Sequence, residues 1–230
     1  MKNNPWKMIA VLAVLSIGGA MLYSNYVSNN INEGITFEKH TKGNTHAAVV
    51  LTEYSDFQCP ACGQFYPIVE QIIEEKGDSL LLEYKHFPLI TIHRNALPAA
   101  KASEAAGQQG KFFQMHDKLF ENQKEWSGSA NPQIYFNKYA EEIGLDVELF
   151  KRHMKSSVIA DKVKTEFDEA RSLGLSGTPS FFLNGEQMQF KTFEEFVNQI
   201  DAAIKEARKG QLDTNMTAEN KENQETTFGF

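Results

Sequence analysis

The residues best suited to chemistry are two cysteines that lie close together in the chain. Cys59 and Cys62 are the only cysteines among the 230 residues, and Pro60 and Ala61 stand between them. A pair with this spacing can serve as a redox-active dithiol, as half of a metal site or as a small structural disulfide. The rest of the sequence has to distinguish these three uses.

The segments on either side of the pair predict a strand followed by a helix. Residues 47–54 form a continuous apolar run with β-branched residues, which is typical of a buried strand. From Cys59 onward, apolar residues recur at helical spacing as far as Gly77, and Pro60 suits the first helical turn. The free N–H groups at a helix start stabilise a thiolate, so we expect Cys59 to be the exposed nucleophile. Cys62, nearly one turn later, would face inward and resolve a mixed disulfide.

The N-terminus has the composition of an export signal. Lys2 and Lys7 flank Trp6 and precede an apolar run, Met8–Tyr23, that contains no formally charged residue. A basic end followed by an apolar run predicts a signal or a membrane anchor in residues 1–28. We favour a retained anchor, which would hold the protein on the extracytoplasmic face of a bacterial cytoplasmic membrane. Cleavage near Gly18–Ala20, giving a soluble periplasmic or secreted protein, is the alternative, and a buried N-terminal helix is the third interpretation.

Composition and export narrow the uses of the cysteine pair. The net charge is −7 and no concentrated basic segment is present, which argues against a nucleic-acid partner. Structural disulfides are common outside the cytoplasm, but one that closes so small a loop would contribute little stability. The six histidines are scattered without metal-site spacing, so we expect no metal. Redox chemistry is therefore the favoured use of the pair.

The order of predicted elements indicates an α/β domain with an inserted all-helical subdomain. A strand, a helix and a second strand come first, as in a βαβ unit. After the inserted helices, the pattern predicts a helix, a hairpin around Asn184–Gly185 and a last amphipathic helix. The predicted parts are a linker with a first short strand near Ile35–Phe37 (29–46), the domain (47–209), its helical insertion (about 93–157) and a disordered polar tail (210–230).

Several segments resemble the DsbA family of thiol–disulfide oxidoreductases. They occur in the order found in that family and cover most of the chain. The resemblance implies a thioredoxin-like fold with a helical insertion. The segments are Glu53–Cys62, Lys85–Leu89, Gly110–Asp117 and Gly174–Phe181.

The resemblance also assigns roles that spacing alone does not. It implies that Thr178 and Pro179 form a cis-proline loop packed against the disulfide. It further implies that Thr178, together with Pro60 and Ala61, contacts the bound substrate chain, and that Pro179 belongs to the catalytic machinery.

Glu53 lies on the predicted strand before the cysteines, where the family has an acidic residue. The resemblance implies that this carboxylate assists proton transfer at Cys62, since burial would raise its pKa. An outward-facing Glu53 is the alternative. Lys85 on the neighbouring strand could pair with Glu53 or be solvated, and both interpretations stay open.

The resulting prediction is an extracytoplasmic oxidase that passes a Cys59–Cys62 disulfide to the thiols of exported proteins. It needs no cofactor because the disulfide carries the two electrons, and the resemblance implies reoxidation by a quinone-linked membrane partner of the DsbB or VKOR type. A membrane-tethered reductase or isomerase and a redox-inactive binding or chaperone module are the alternatives. No candidate dimerisation segment is visible, so we expect a monomer. Because Ala61 stands where the best-known strong oxidants of the family have histidine, we expect a weaker oxidant.

Overall fold

The computed structural model describes residues 6, 9, 12–19, 22 and 31–227, with side chains described as far as residue 212. Within these residues the strands are β1 (His40–Gly43), β2 (Val49–Ser55), β3 (Leu80–His86), β4 (Ser180–Leu183) and β5 (Glu186–Gln187). The helices are α1 (Pro60–Lys76), α2 (Ala96–Gly107), α3 (Phe112–Glu121), α4 (Gln123–Trp126), α5 (Gln133–Glu142), α6 (Val147–His153), α7 (Ser157–Ser172) and α8 (Phe193–Thr227).

The five strands form one mixed sheet in the order β1-β3-β2-β4-β5. β2 is parallel to β3, as expected for strands joined through α1, and it is antiparallel to β4. In this register Glu53 lies opposite Tyr84 on one side and Phe181 on the other. Helices α2–α6 lie between β3 and α7 in the chain. The predicted fold class, a thioredoxin-like α/β fold with an all-helical insertion, is confirmed.

Two apolar cores meet at the segment that carries the cysteines. One core packs α1 and α8 on the sheet, and the other fills the inserted helices around the fully buried Trp126. Phe57, in the turn before Cys59, belongs to the second core, where its ring lies 5.3 Å from Tyr84 and 4.9 Å from Phe120 between ring centroids. This buried aromatic ring fixes the start of α1 against both the sheet and the insertion.

The structure differs from the sequence prediction at the first strand and at a short helix. The first strand is His40–Gly43 rather than the apolar triplet at residues 35–37. It is an edge strand defined by its antiparallel pairing with β3, whereas Thr36 exchanges two hydrogen bonds with the side chain of Gln108. The four-residue helix α4 was not predicted, because it is shorter than any periodic pattern can reveal.

The predicted C-terminal tail and N-terminal anchor can be compared with the described ends of the chain. α8 continues through Thr227, where the sequence predicted a disordered tail from residue 210. Residues 211–227 contain neither proline nor glycine, the two residue types that disfavour a helix most strongly, so the helix is not interrupted there. Residues 12–19 are helical, but most of the predicted anchor in residues 1–28 lies outside the described residues. None of the helices in the described part combines the length and apolar character needed to cross a membrane.

Candidate active site

The two cysteines occupy the start of α1 with different exposure. Cys59 is the N-cap residue, with an extended backbone (φ −70°, ψ 123°), and Pro60 begins the helix. Cys59 is 7% exposed and Cys62 is fully buried, and both are free thiols. Pro60 and Ala61 are exposed beside them. An incoming sulfur therefore reaches Cys59 first, in agreement with its predicted role as nucleophile.

The loop directly before β4 contacts Cys59. The Thr178–Pro179 peptide bond is cis, as the resemblance implied. Protonated Cys59 Sγ donates a hydrogen bond of 3.3 Å to the backbone oxygen of Thr178. Both loop residues are half-buried, and Thr178 contacts Cys59 directly.

The pKa values of the two thiols are shifted in opposite directions. The pKa of Cys59 is lowered to about 5, chiefly by a hydrogen bond from Cys62 and also by the backbone N–H groups of Cys62 and Ala61. Burial raises the pKa of Cys62 well above its usual value, and the neighbouring Cys59 and Glu53 add to this rise. One cysteine is thus a thiolate at neutral pH while its partner keeps its proton.

Glu53 is buried inside β2 and does not face solvent. Glu53 is only 3% exposed. Burial raises the pKa of its carboxyl group to about 7, and the negative charge of Glu70 adds to this rise. A carboxyl group with this pKa can both give and take a proton near neutral pH. Lys85 does not pair with it, because the Lys85 ammonium group lies 2.6 Å from Glu169 and 3.9 Å from Glu83.

Asp56 organises the turn between β2 and α1. Its buried carboxylate accepts hydrogen bonds from the backbone N–H groups of Gln58 (2.7 Å) and Leu89 (2.9 Å). His93 Nδ1 lies 2.7 Å from the same carboxylate, and the Asp56 backbone oxygen accepts from Cys59 N–H at 3.0 Å. The turn that presents Cys59 is therefore tied to the loop after β3, and this carboxylate is structural.

A comparison with known proteins identifies the family in which a cysteine pair at a helix start faces a cis-proline loop. A sequence model described as thioredoxin matches residues 36–202. The chain belongs to the thioredoxin family. Members of this family that keep both cysteines at a helix start carry out thiol–disulfide exchange, which is the chemistry that the opposed pKa values support.

Solved structures that share the fold of this thioredoxin-family chain include the following two. A thioredoxin-like oxidoreductase from Silicibacter pomeroyi DSS-3 is 28% identical, with a TM-score of 0.61 over 74% of this chain and 92% of that one. Wolbachia pipientis alpha-DsbA1 is 22% identical, with a TM-score of 0.67 over 80% of this chain and 99% of that one. The DsbA-like architecture predicted from the sequence is confirmed.

Curated relatives include a much longer protein. The Na(+)/H(+) antiporter NhaA 1 of Mycobacterium sp. (strain KMS) is 38% identical over 152 residues, which is 64% of this chain. The match covers only 24% of that antiporter, so this chain spans about a quarter of its length. The family relationship concerns that quarter.

Two groups of side chains in the described part of the chain have spacings that a metal ion could use. In the first, His40 Nε2 and His86 Nε2 lie 2.9 Å and 3.1 Å from the same oxygen of buried Glu104. Metal-bound imidazoles donate their second N–H to an acceptor, but the buried His86 Nδ1 has no hydrogen-bond partner among the described residues. This arrangement suits a buried carboxylate held by two histidines better than a metal centre. The second group is Glu70, His116 and Asp117.

Three polar residues beside the site carried no sequence signal. The side chains of Gln58 and Gln123 join the active-site turn to the insertion, and the Asn95 side chain ties the start of the insertion to Ser127. Their partners are backbone groups far away in the chain, so neither spacing nor residue type could have identified them. The Thr178–Pro179 loop, by contrast, was linked to the cysteines in advance by the family resemblance.

Proposed function

We propose that this chain is an extracytoplasmic thiol–disulfide oxidase that donates the Cys59–Cys62 disulfide to thiols of exported proteins. The observation that carries the proposal is the lowered pKa of Cys59, about 5, beside the raised pKa of Cys62. Stabilising the Cys59 thiolate stabilises the reduced enzyme, so the oxidised enzyme gives up its disulfide readily. A pKa of about 5 lies between about 7 for thioredoxin and about 3.5 for a strong oxidant, as expected for a protein with Ala61 in place of histidine.

The reaction consists of two exchanges. A substrate thiolate attacks Cys59 Sγ, the Cys59–Cys62 bond breaks, and its electron pair leaves on Cys62, which takes up a proton. A second substrate thiolate then attacks the substrate sulfur of the mixed disulfide, and Cys59 leaves as a stable thiolate. The substrate loses two electrons and the dithiol gains them, so no dissociable cofactor is required.

Glu53 is the proton donor and acceptor for Cys62 in this scheme. Cys62 is fully buried, so solvent cannot protonate it directly. The negative charge of Glu53 contributes to the raised pKa of Cys62, which means that the two groups interact electrostatically. With its own pKa of about 7, Glu53 can supply a proton when Cys62 leaves and accept it again during reoxidation.

We place the protein at the outer face of the cytoplasmic membrane, held by residues 1–28, with a cleaved, soluble form as the alternative. The basic and apolar composition of these residues supports export. The match to a quarter of a Na(+)/H(+) antiporter supports a membrane setting, since an antiporter works across a membrane. A quinone-linked membrane protein of the DsbB or VKOR type would take the two electrons from the reduced pair.

Two measurements test the proposal. Rapid alkylation of intact cells should find Cys59 and Cys62 mainly as a disulfide, and purified protein equilibrated with glutathione should be more oxidising than thioredoxin. A mainly reduced pair in cells would instead identify a reductase or isomerase of the same fold. A pair that does not exchange with glutathione at all would leave a redox-inactive binding module.

A further inference from the structure

One amide group of the helical insertion contacts the backbone of the active-site turn at two points. Gln123, the first residue of α4, donates from Nε2 to the backbone oxygens of Phe57 (2.7 Å) and Cys59 (2.9 Å). The Cys59 oxygen also accepts the first hydrogen bond of α1, from Gly63 N–H at 3.1 Å. Gln123 therefore binds the carbonyl group at which α1 begins, on the residue whose sulfur reacts.

Gly63 and Gln123 fit each other in space. Gly63 lies inside α1 with an ordinary right-handed helical conformation, so its backbone does not demand glycine. A Cβ atom at this position would lie 2.7 Å from Gln123 Oε1 and 3.2 Å from Gln123 Cδ. Glycine directly after the second cysteine is thus explained by the room that the Gln123 amide needs.

The glutamine itself is held in place by its own element. Trp126, in the same short helix, is fully buried, and its Nε1 donates to the backbone oxygen of Leu119 at 2.8 Å. Just beyond it, the Ser127 oxygen accepts hydrogen bonds from Gln58 Nε2 (2.7 Å) and Asn95 Nδ2 (3.0 Å). The segment that carries Gln123 is therefore rigidly joined to both the insertion and the turn.

We propose that Gln123 is a positioning residue for Cys59, holding the start of α1 so that its N–H groups point at the Cys59 sulfur. The backbone N–H groups of Ala61 and Cys62 stabilise the thiolate only if the first turn of α1 keeps its orientation. In addition, the two N–H bonds of the Gln123 amide offset the negative ends of two carbonyl dipoles close to that sulfur. The inference rests on the thiol chemistry of Cys59 but not on the direction of electron flow.

The first test compares three variants by the pH dependence of thiolate absorbance. Gln123→Ala and the equally long Gln123→Met, which has no N–H donor, should each raise the Cys59 pKa by about one unit, the scale of a lost hydrogen bond beside a charge. Gln109→Ala is the matched control, because the Gln109 amide likewise bridges two backbone groups, the N–H (2.9 Å) and oxygen (3.1 Å) of Asp146, inside the insertion. It should lower the melting temperature without moving the Cys59 pKa.

The second test is a double-mutant cycle on the stability of the folded protein. Gly63→Ala should destabilise the natural protein and raise the Cys59 pKa, whereas the stability cost should largely disappear in the Gln123→Ala background, because the clashing amide is gone. A Cys59 pKa that stays unchanged in folded Gln123→Ala and Gln123→Met proteins would overturn the inference. A natural protein whose Cys59 pKa is not lowered would refute the proposed function instead, so the two failures can be told apart.

Discussion

The Cys59 sulfur lies 3.3 Å from the backbone oxygen of Thr178, although 119 residues separate the two in the chain. β2 and β4 pair directly in the sheet, and this pairing brings the turn after one strand to the loop before the other. The Thr178–Pro179 loop therefore lies directly against the cysteine that reacts, with Thr178 and Pro179 half-buried beside it.

The low pKa of Cys59 should depend on the hydrogen bond from Cys62. Cys62→Ala removes the donor, and we expect the Cys59 pKa to rise by about one to two units, the scale of a hydrogen bond to a charged group. Cys62→Ser keeps a donor in nearly the same position and should keep most of the shift. Thiolate absorbance followed against pH measures both variants. Equal pKa values for Cys59 in the two variants would contradict the assignment.

Glu53 should lower the stability of the folded protein at alkaline pH. Its pKa is raised from 4.5 to about 7 on folding, so the folded state holds a proton that the unfolded state has lost. The resulting stabilisation is present below pH 4.5 and is lost as the pH rises through 7. Glu53→Gln should therefore become more stable than the natural protein above about pH 8, by up to about 3 kcal/mol, and should gain little near pH 5. Urea unfolding at both pH values measures this difference.

A suitable control for that substitution is Glu83→Gln on the neighbouring strand. The Glu83 carboxylate is paired with Lys39 at 3.1 Å, so its removal should bring no gain in stability at alkaline pH. A Glu53→Gln variant with the same pH profile as this control would show that Glu53 is not a desolvated carboxyl group.

Glu104 should have the opposite dependence on pH. Burial alone would raise its pKa, but hydrogen bonds from His40 and His86 outweigh burial and lower it to about 2. Its stabilising contribution is therefore present above pH 4.5 and is lost as the pH falls through 2. Glu104→Gln should cost about 3 kcal/mol near pH 7 and less than half as much near pH 3. Glu148→Gln, at an exposed site on α6, is the control. Its free energy of unfolding, measured with denaturant, should differ little from that of the natural protein at either pH.

Ala61 should set the oxidising strength of the pair. Ala61→His places a titratable ring between the cysteines, and a positive charge there should lower the Cys59 pKa by about one unit or more. The equilibrium constant with glutathione should then shift about tenfold towards reduced enzyme, because one pKa unit is a factor of ten. Ala61→Gln, which is polar but uncharged, should leave the equilibrium close to that of the natural protein. Equal shifts in both variants would exclude charge as the cause.

Much of the central fold could be predicted because its elements have strong local patterns. β4 begins and ends at the residues that the sequence indicated, since Ser180–Leu183 is a short apolar run between a proline and an Asn-Gly turn. β1 could not be placed in this way, because His40–Gly43 is a polar edge strand whose position depends on its pairing with β3. The extension of α8 to Thr227 was missed for a different reason, namely that a polar helix and a polar coil have similar compositions.

The sequence by itself determined the reactive centre of this protein. Two cysteines three positions apart, after a buried strand and beside a proline suited to a helix start, indicate a redox pair, because backbone geometry alone brings such neighbours together. Only the tertiary structure decided how the pair is tuned. The burial of Glu53, the contact of Thr178 with Cys59 and the two hydrogen bonds of Gln123 depend on packing between distant segments. Desolvation and long-range contacts set pKa values, and neither is encoded in local spacing.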